Sequence, residues 1–170
     1  MNHLRRCLNV LGAAWLVLGR QARGAPGLFD LVTPADVQLD AAHAGAPPPD
    51  KSPRTRGLRD AQAPLIRVAR PELVQGHAVL ASPVAIELRF EAGEGARINP
   101  GSFRVLYGGW HIDITDRILA NVGAPTEQGL LIQNARIPAG HHKLTVQISD
   151  DRLREARLDF ELDIVEKPSG

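Results

Sequence analysis

The side chains best able to do chemistry or recognition crowd into Tyr107-Gly108-Gly109-Trp110-His111-Ile112-Asp113-Ile114-Thr115-Asp116-Arg117. If Gly108-Gly109 forms a hairpin tip, Trp110 and His111 are displayed together and Asp113, Thr115 and Arg117 share the polar face; an exposed aromatic among charges suits a binding epitope. The competing reading folds Trp110 over the end of its own domain and makes Asp116-Arg117 a local turn pair. His111 and Asp113 have the i, i+2 spacing that puts two metal ligands on one strand face, but two ligands are too few to hold an ion. His141 and His142 are adjacent, so on a strand they point to opposite faces and cannot chelate together. A sugar platform asks for more than one coplanar aromatic, and only Tyr107 stands near Trp110.

Catalytic patterns are missing. Ser82, Ser102 and Ser149 lie in turn contexts, and neither a Gly-x-Ser-x-Gly elbow nor a His-Glu-x-x-His helix is present. Glu87, Asp159, Glu161 and Asp163 fall on strand faces expected to be wet, where paired acids are solvated rather than split into an acid and a base. Asp150-Asp151-Arg152 reads as a hairpin turn, and a calcium cage there would need six or more oxygens. No enzyme and no cofactor are expected.

These residues need a scaffold, and the alternation of apolar and polar positions supplies it. From Ile137 to Asp150 a Pro-Ala-Gly turn opens into a strand with Leu144, Val146 and Ile148 inward and Lys143, Thr145 and Gln147 toward water. The same period marks Val84, Ile86, Leu88 and Phe90, and again Leu158, Phe160, Leu162 and Ile164. Leu65 to Ala69, Phe103 to Tyr107, Ile112 to Ile114 and Leu130 to Ile137 complete about seven short strands with turn signals between them. This predicts an all-β fold, a single antiparallel sandwich over residues 64–166 followed by a tail at 167–170.

Residues 25–63 precede that unit as an apolar arm and a Pro/Ala/Gly-rich linker. In the arm, Thr33, Pro34 and Asp36 form a helix start of cap, first-turn proline and acid three residues on. Leu28, Phe29, Leu31, Val32, Val37 and Leu39 either pack back on the sandwich or dock on another protein, and the pattern is the same in both cases. The linker carries Pro47-Pro48-Pro49 and the basic residues Lys51, Arg54 and Arg56, and it cannot build a core.

Arg5-Arg6 followed by the apolar run Cys7 to Leu18 has the layout of a secretory signal over residues 1–24, with Ala22 and Gly24 as the small residues of a cleavage site. The run is shorter than the about 20 residues of a spanning helix. Arg20 and Arg23 near the cut leave an uncleaved amino-terminal anchor as the alternative. Leu4 and Asn9 spoil a twin-arginine motif, and arginines before Cys7 spoil a lipoprotein box. Four arginines and no acid precede the cut, so removing them takes the net charge from +1 to −3. A charge of that sign, with aromatics at 4% of the chain, excludes a nucleic-acid partner. The sole cysteine, Cys7, leaves with the signal, so the mature chain has neither a disulfide nor a thiolate ligand and must rely on packing. The preference for 17 arginines over 3 lysines points to a GC-rich bacterial genome.

The run Ile137 to Asp150, with Phe160 and Leu162 on a partner strand, resembles the Leu-Pro-x-Gly-x-Tyr-x-Leu-x-Val-x-x-x-Asp and Phe-x-Val pair of bacterial immunoglobulin-like and fibronectin-type domains, with His142 at the tyrosine position. Ile98-Asn99-Pro100-Gly101-Ser102-Phe103-Arg104-Val105 likewise resembles their Ile-Asp-Pro-x-Ser-Phe/Leu-x-Val opening. The resemblance covers residues 64–165 and implies an immunoglobulin-like fold, not an activity. The whole chain is similar to small exported proteobacterial proteins.

The expectation is therefore a non-enzymatic, periplasmic or secreted module of the bacterial envelope that acts through protein-protein contacts. Tyr107, Trp110, His111, Asp113, Arg117, Leu28, Phe29 and Leu31 are its candidate partner-binding residues. The partner would be another envelope protein, and the membrane would be touched only through an uncleaved signal. The alternative is a periplasmic, copper-type metal-handling sandwich centred on His111 and Asp113.

Overall fold

The computed structural model describes residues 27–47 and 63–166; the segment expected to be a signal, most of the expected linker and the expected tail lie outside them. Nine strands and two helices are present among the described residues: β1 (Phe29–Asp30), α1 (Pro34–Ala42), β2 (Leu65–Arg70), β3 (His77–Ala81), β4 (Val84–Glu91), β5 (Ile98–Tyr107), β6 (Ile112–Asp113), α2 (Thr115–Val122), β7 (Gly129–Arg136), β8 (Gly140–Asp150) and β9 (Glu155–Val165). They form two facing sheets, ordered β1-β7-β4-β2 and β3-β9-β8-β5-β6. The all-β sandwich is as expected. It is mixed rather than purely antiparallel, because β1 joins β7 and β3 joins β9 in parallel. No described helix is long and apolar enough to cross a membrane.

The period-two patterns become the core. Val84, Ile86, Leu88 and Phe90 of β4 face Leu144, Val146 and Ile148 of β8 and Phe160, Leu162 and Ile164 of β9 within one buried cluster. Gly129 starts β7 where an added Cβ would lie 2.0 Å from the Leu88 carbonyl oxygen, so only glycine lets β7 pair so closely with β4. Thr145, expected to be wet, is fully buried, because its hydroxyl donates to Asp159 and the Arg157 guanidinium reaches over it. The β8–β9 turn is tied by the buried Asp150 carboxylate, which accepts from the backbone N–H groups of Arg152 and Arg154 and from Arg154 Nε.

The arm packs on its own sandwich. Phe29–Asp30 extends the four-stranded sheet, and Leu31 and Val32 are each 1% exposed within the core. Thr33 caps α1 through a reciprocal box with Asp36, and Pro34 occupies the first turn. Burying these apolar side chains contributes about 1.5–3 kcal/mol each as an upper estimate, so docking in cis offsets the ordering of a segment that would be marginal alone. The second helix is a departure: Thr115 to Val122 is helical, so Asp116-Arg117 is not a turn pair. Instead Arg117 reaches the arm, donating from Nη1 to the Leu31 carbonyl at 3.0 Å and to Asp36 Oδ2 at 2.6 Å.

Candidate metal centre

Three ligand-bearing side chains meet on the outer face of the five-stranded sheet. The Val74-to-His77 turn, with Gln75 and Gly76 at positive φ, delivers edge strand β3 beside β9, in the register His77 opposite Glu161. On the other side of β9, β8 sets His141 opposite Asp163. Because Phe160, Leu162 and Ile164 face inward, Glu161 and Asp163 face outward by alternation. The result is His77 and His141 flanking one aspartate from the two strands beside it.

Asp163 accepts from both rings, through Oδ2 from His77 Nε2 and through Oδ1 from His141 Nδ1, each at 2.8 Å. Those two hydrogen bonds, His141's the larger influence, hold the Asp163 carboxyl below its ordinary pKa. One donor atom from each of His77, His141 and Asp163 lies within 4.8 Å of the other two. Glu161 Oε2 stands 3.8 Å from His141 Nε2. The side chains of His77, His141 and Asp163 are 38%, 58% and 40% exposed, which leaves the cluster open to solvent. Two imidazole nitrogens with carboxylate oxygen form a borderline N/O donor set suited to Zn²⁺, Cu²⁺ or Ni²⁺, whereas Ca²⁺ and Mg²⁺ ask for more oxygens. Tetrahedral bonds of about 2.0–2.1 Å place ligand atoms about 3.3 Å apart, so side-chain rotations that close at most about 1.5 Å would bring these three donors onto one ion.

The sequence-predicted residues lie elsewhere. Tyr107 is buried, and its hydroxyl donates to His142 Nδ1 at 3.0 Å while His142 Nε2–H donates to the Pro138 carbonyl at 2.8 Å. Burial chiefly, then the negative charges of Asp40 and Asp36, push the Tyr107 pKa up to about 12. Burial, the largest influence, lowers that of His142, so its ring is neutral and structural. Trp110 is half-buried under the arm: His43 stacks on its ring at 3.8 Å and 14°, and Asp40 Oδ1 accepts from its backbone N–H at 2.8 Å. Phe29 and Leu31 belong to the core; Tyr107, Phe29 and Leu31 thus have no surface to offer a partner, whereas Leu28 is 55% exposed.

Among the described residues His111 and Asp113 belong to no group of three ligand-bearing side chains. His111 sits at φ +56°, with Nε2 against Arg157 Nη2 at 3.1 Å, because the turn before β6 is left-handed. Asp113 is held by Arg104 at 2.8 Å and by the Thr115 N–H at 2.9 Å. Burial alone would raise its pKa, but Thr115 and Arg104 outweigh that and lower it. Sequence reasoning missed His77 altogether and took His141, Glu161 and Asp163 as merely wet. The available signal was His141 two positions before Lys143 on the wet face of one patterned strand and Asp163 on the wet face of another; nothing local places β3 beside them.

No family model matches the chain, and no curated protein matches it. Among solved structures it is similar to CopC from Methylosinus trichosporium OB3b, with 13% identity over 55% of this chain and 86% of that one and a TM-score of 0.35. It is also similar to the fibronectin(III)-like modules of Clostridium thermocellum CbhA, with 13% identity over 60% and 98% and a TM-score of 0.34. An engineered protein matches at 18% identity over 60% of this chain and a fifth of its own length, 20%, with a TM-score of 0.39. At these scores the likeness carries no residue correspondence.

Proposed function

We propose that this chain is a non-enzymatic, exported β-sandwich module that captures a divalent first-row transition ion through His77, His141 and Asp163. One observation carries the reading: three strands converge on a single aspartate with an imidazole on each side, all three donors within 4.8 Å. Each ring now donates a proton to Asp163, and an ion would replace those protons, since a metal-bound nitrogen must be deprotonated. Without an ion the same contacts are exposed pairs worth about 0–1 kcal/mol, little return for two histidines on a wet face. A metal-handling role therefore moves from His111 and Asp113 to the β3–β9–β8 face. Export stays part of the proposal and rests on Arg5-Arg6 and the apolar run from Cys7 to Leu18. A protein partner in the envelope also stays part of it, and would meet this open face rather than the covered Trp110 corner.

The test is thermal unfolding of the chain from Ala25 with Zn²⁺ or Cu²⁺ added. An ion that binds only the folded state stabilises it by about 2.7 kcal/mol at a hundredfold excess over Kd. We expect a rise in Tm that His77→Ala or His141→Ala removes and His111→Ala leaves in place. An unmoved Tm in the unsubstituted chain, or a rise that survives loss of His77, refutes the site.

A further inference from the structure

Beside the cluster lies a shallow depression of about 210 Å³ lined by Gln75, Gly76, Lys143, Asp159, Phe160 and Glu161. Glu161 lines the depression and stands 3.8 Å from His141 of the cluster, and Lys143 is its direct cross-strand neighbour. Lys143 also stands two residues from His141 on the same strand face, so its backbone is about 6.8 Å along β8 from a proposed ligand. The side chain is half-buried, and its ammonium makes no hydrogen bond or ion pair among the described residues, although its field reaches Asp159. Asp159 is occupied by the Thr145 hydroxyl and by Arg157.

Charge decides what this depression would accept. With the imidazoles neutral, a divalent ion is balanced by Asp163 and Glu161, and Asp159 is balanced by Arg157. The ammonium of Lys143 remains as one surplus positive charge, on the cross-strand pair Lys143–Glu161 that lies next along the same face to His141–Asp163. A small anion that ligates the ion with one oxygen and accepts from Lys143 with another satisfies both. A carboxylate has that span: its two oxygens are about 2.2 Å apart, and it reaches a metal at about 2.0 Å and an ammonium at about 2.8 Å.

We propose that the loaded site takes a small monocarboxylate as a further ligand, with Lys143 as its counter-charge, so that the module recognises an ion together with a carboxylate rather than the bare ion. This rests on the metal reading above. No covalent step is involved; the carboxylate displaces water from the ion.

The experiment uses the chain from Ala25 loaded with Co²⁺, whose visible bands report its ligands, and titrates it with sodium acetate at constant ionic strength. We expect a saturable spectral change in the unsubstituted chain. Lys143→Gln should weaken acetate binding about tenfold with Co²⁺ affinity altered by less than about threefold, and Lys143→Arg should restore most of it. Loaded protein that gives no spectral response to acetate, or the same response after Lys143→Gln, overturns the carboxylate proposal and leaves the metal site standing. Failure of Co²⁺ and Zn²⁺ to bind at all overturns the metal reading itself, and the carboxylate proposal with it.

Discussion

The contact between Asp36 and Arg117 ties the arm to the sandwich, and its strength can be worked from its geometry. Asp36 Oδ2 accepts from Arg117 Nη1 at 2.6 Å, from the Thr33 backbone N–H at 2.8 Å and from the Thr33 hydroxyl at 2.8 Å, while Oδ1 accepts from Arg117 Nη2 at 3.3 Å. Hydrogen bonds between charged groups are worth about 1.5–3 kcal/mol, and the partial exposure of Arg117, 32%, pulls the pair toward the smaller surface values. A coupling of about 2 kcal/mol follows. It is measured by urea unfolding of the unsubstituted chain, Asp36→Asn, Arg117→Met and the double variant, with the coupling read from the cycle. Asn keeps an acceptor for the Thr33 N–H, so the helix cap survives and the cycle isolates the charge pair. Burial acts to raise the Asp36 pKa, but Arg117 and Thr33 together hold it below 3.8. With the folded value depressed, the unfolded chain binds more protons in the window between the two values. The stabilisation is thus complete above the unfolded pKa and is lost as the pH falls through the folded one. The coupling should be flat from pH 5 to 7 and shrink below about 3.8. A coupling under about 0.5 kcal/mol at pH 7, or one that persists at low pH, would refute the argument and leave Leu31 and Val32 burial as what holds the arm.

Two further outcomes test the same end of the molecule. Tyr107 is the only tyrosine in the chain, so ultraviolet titration should show phenolate forming near pH 12 rather than 10; because the folded pKa is raised, stability should fall as the pH rises above about 10, and phenolate appearing at pH 10 in the folded protein would contradict the burial. Gly108 has φ +73°, and an added Cβ would lie 2.3 Å from Asp40 Cγ, so Gly108→Ala should cost about 1–3 kcal/mol in urea unfolding and loosen Asp40 from the Trp110 N–H; a neutral substitution would mean that the arm yields freely there.

The strands with the cleanest alternation were legible because their cause is local. A pleated strand between a core and water repeats every two residues, and β4, β8 and β9 carry that period in their side chains. The helix start was equally local, since Thr33 and Asp36 cap the helix reciprocally and Pro34 fills its first turn, all within four residues. β3 was missed because His77-Ala78-Val79-Leu80-Ala81 is short and uneven, and it exists by pairing with β9. The second helix was missed because Ile112 to Ile114 reads on as a strand; its helical face is defined by Ile118, which packs in the core.

What the chain determined alone was therefore the inward and outward faces of β4, β8 and β9, the buried place of His142 and, with Cys7 the sole cysteine, the absence of a thiol from residues 25–170. The tertiary structure decided which wet residues become neighbours. His77 is 86 positions from Asp163 and His141 is 22, and they meet because β9 lies between β3 and β8. It also decided that the arm docks at home, covering Trp110 with His43 and drawing Arg117 to Asp36. The physical reason is the same in both cases: inward or outward direction follows from the pleat of one strand, whereas lateral order depends on how long-range apolar surfaces are buried together, and no local period encodes that.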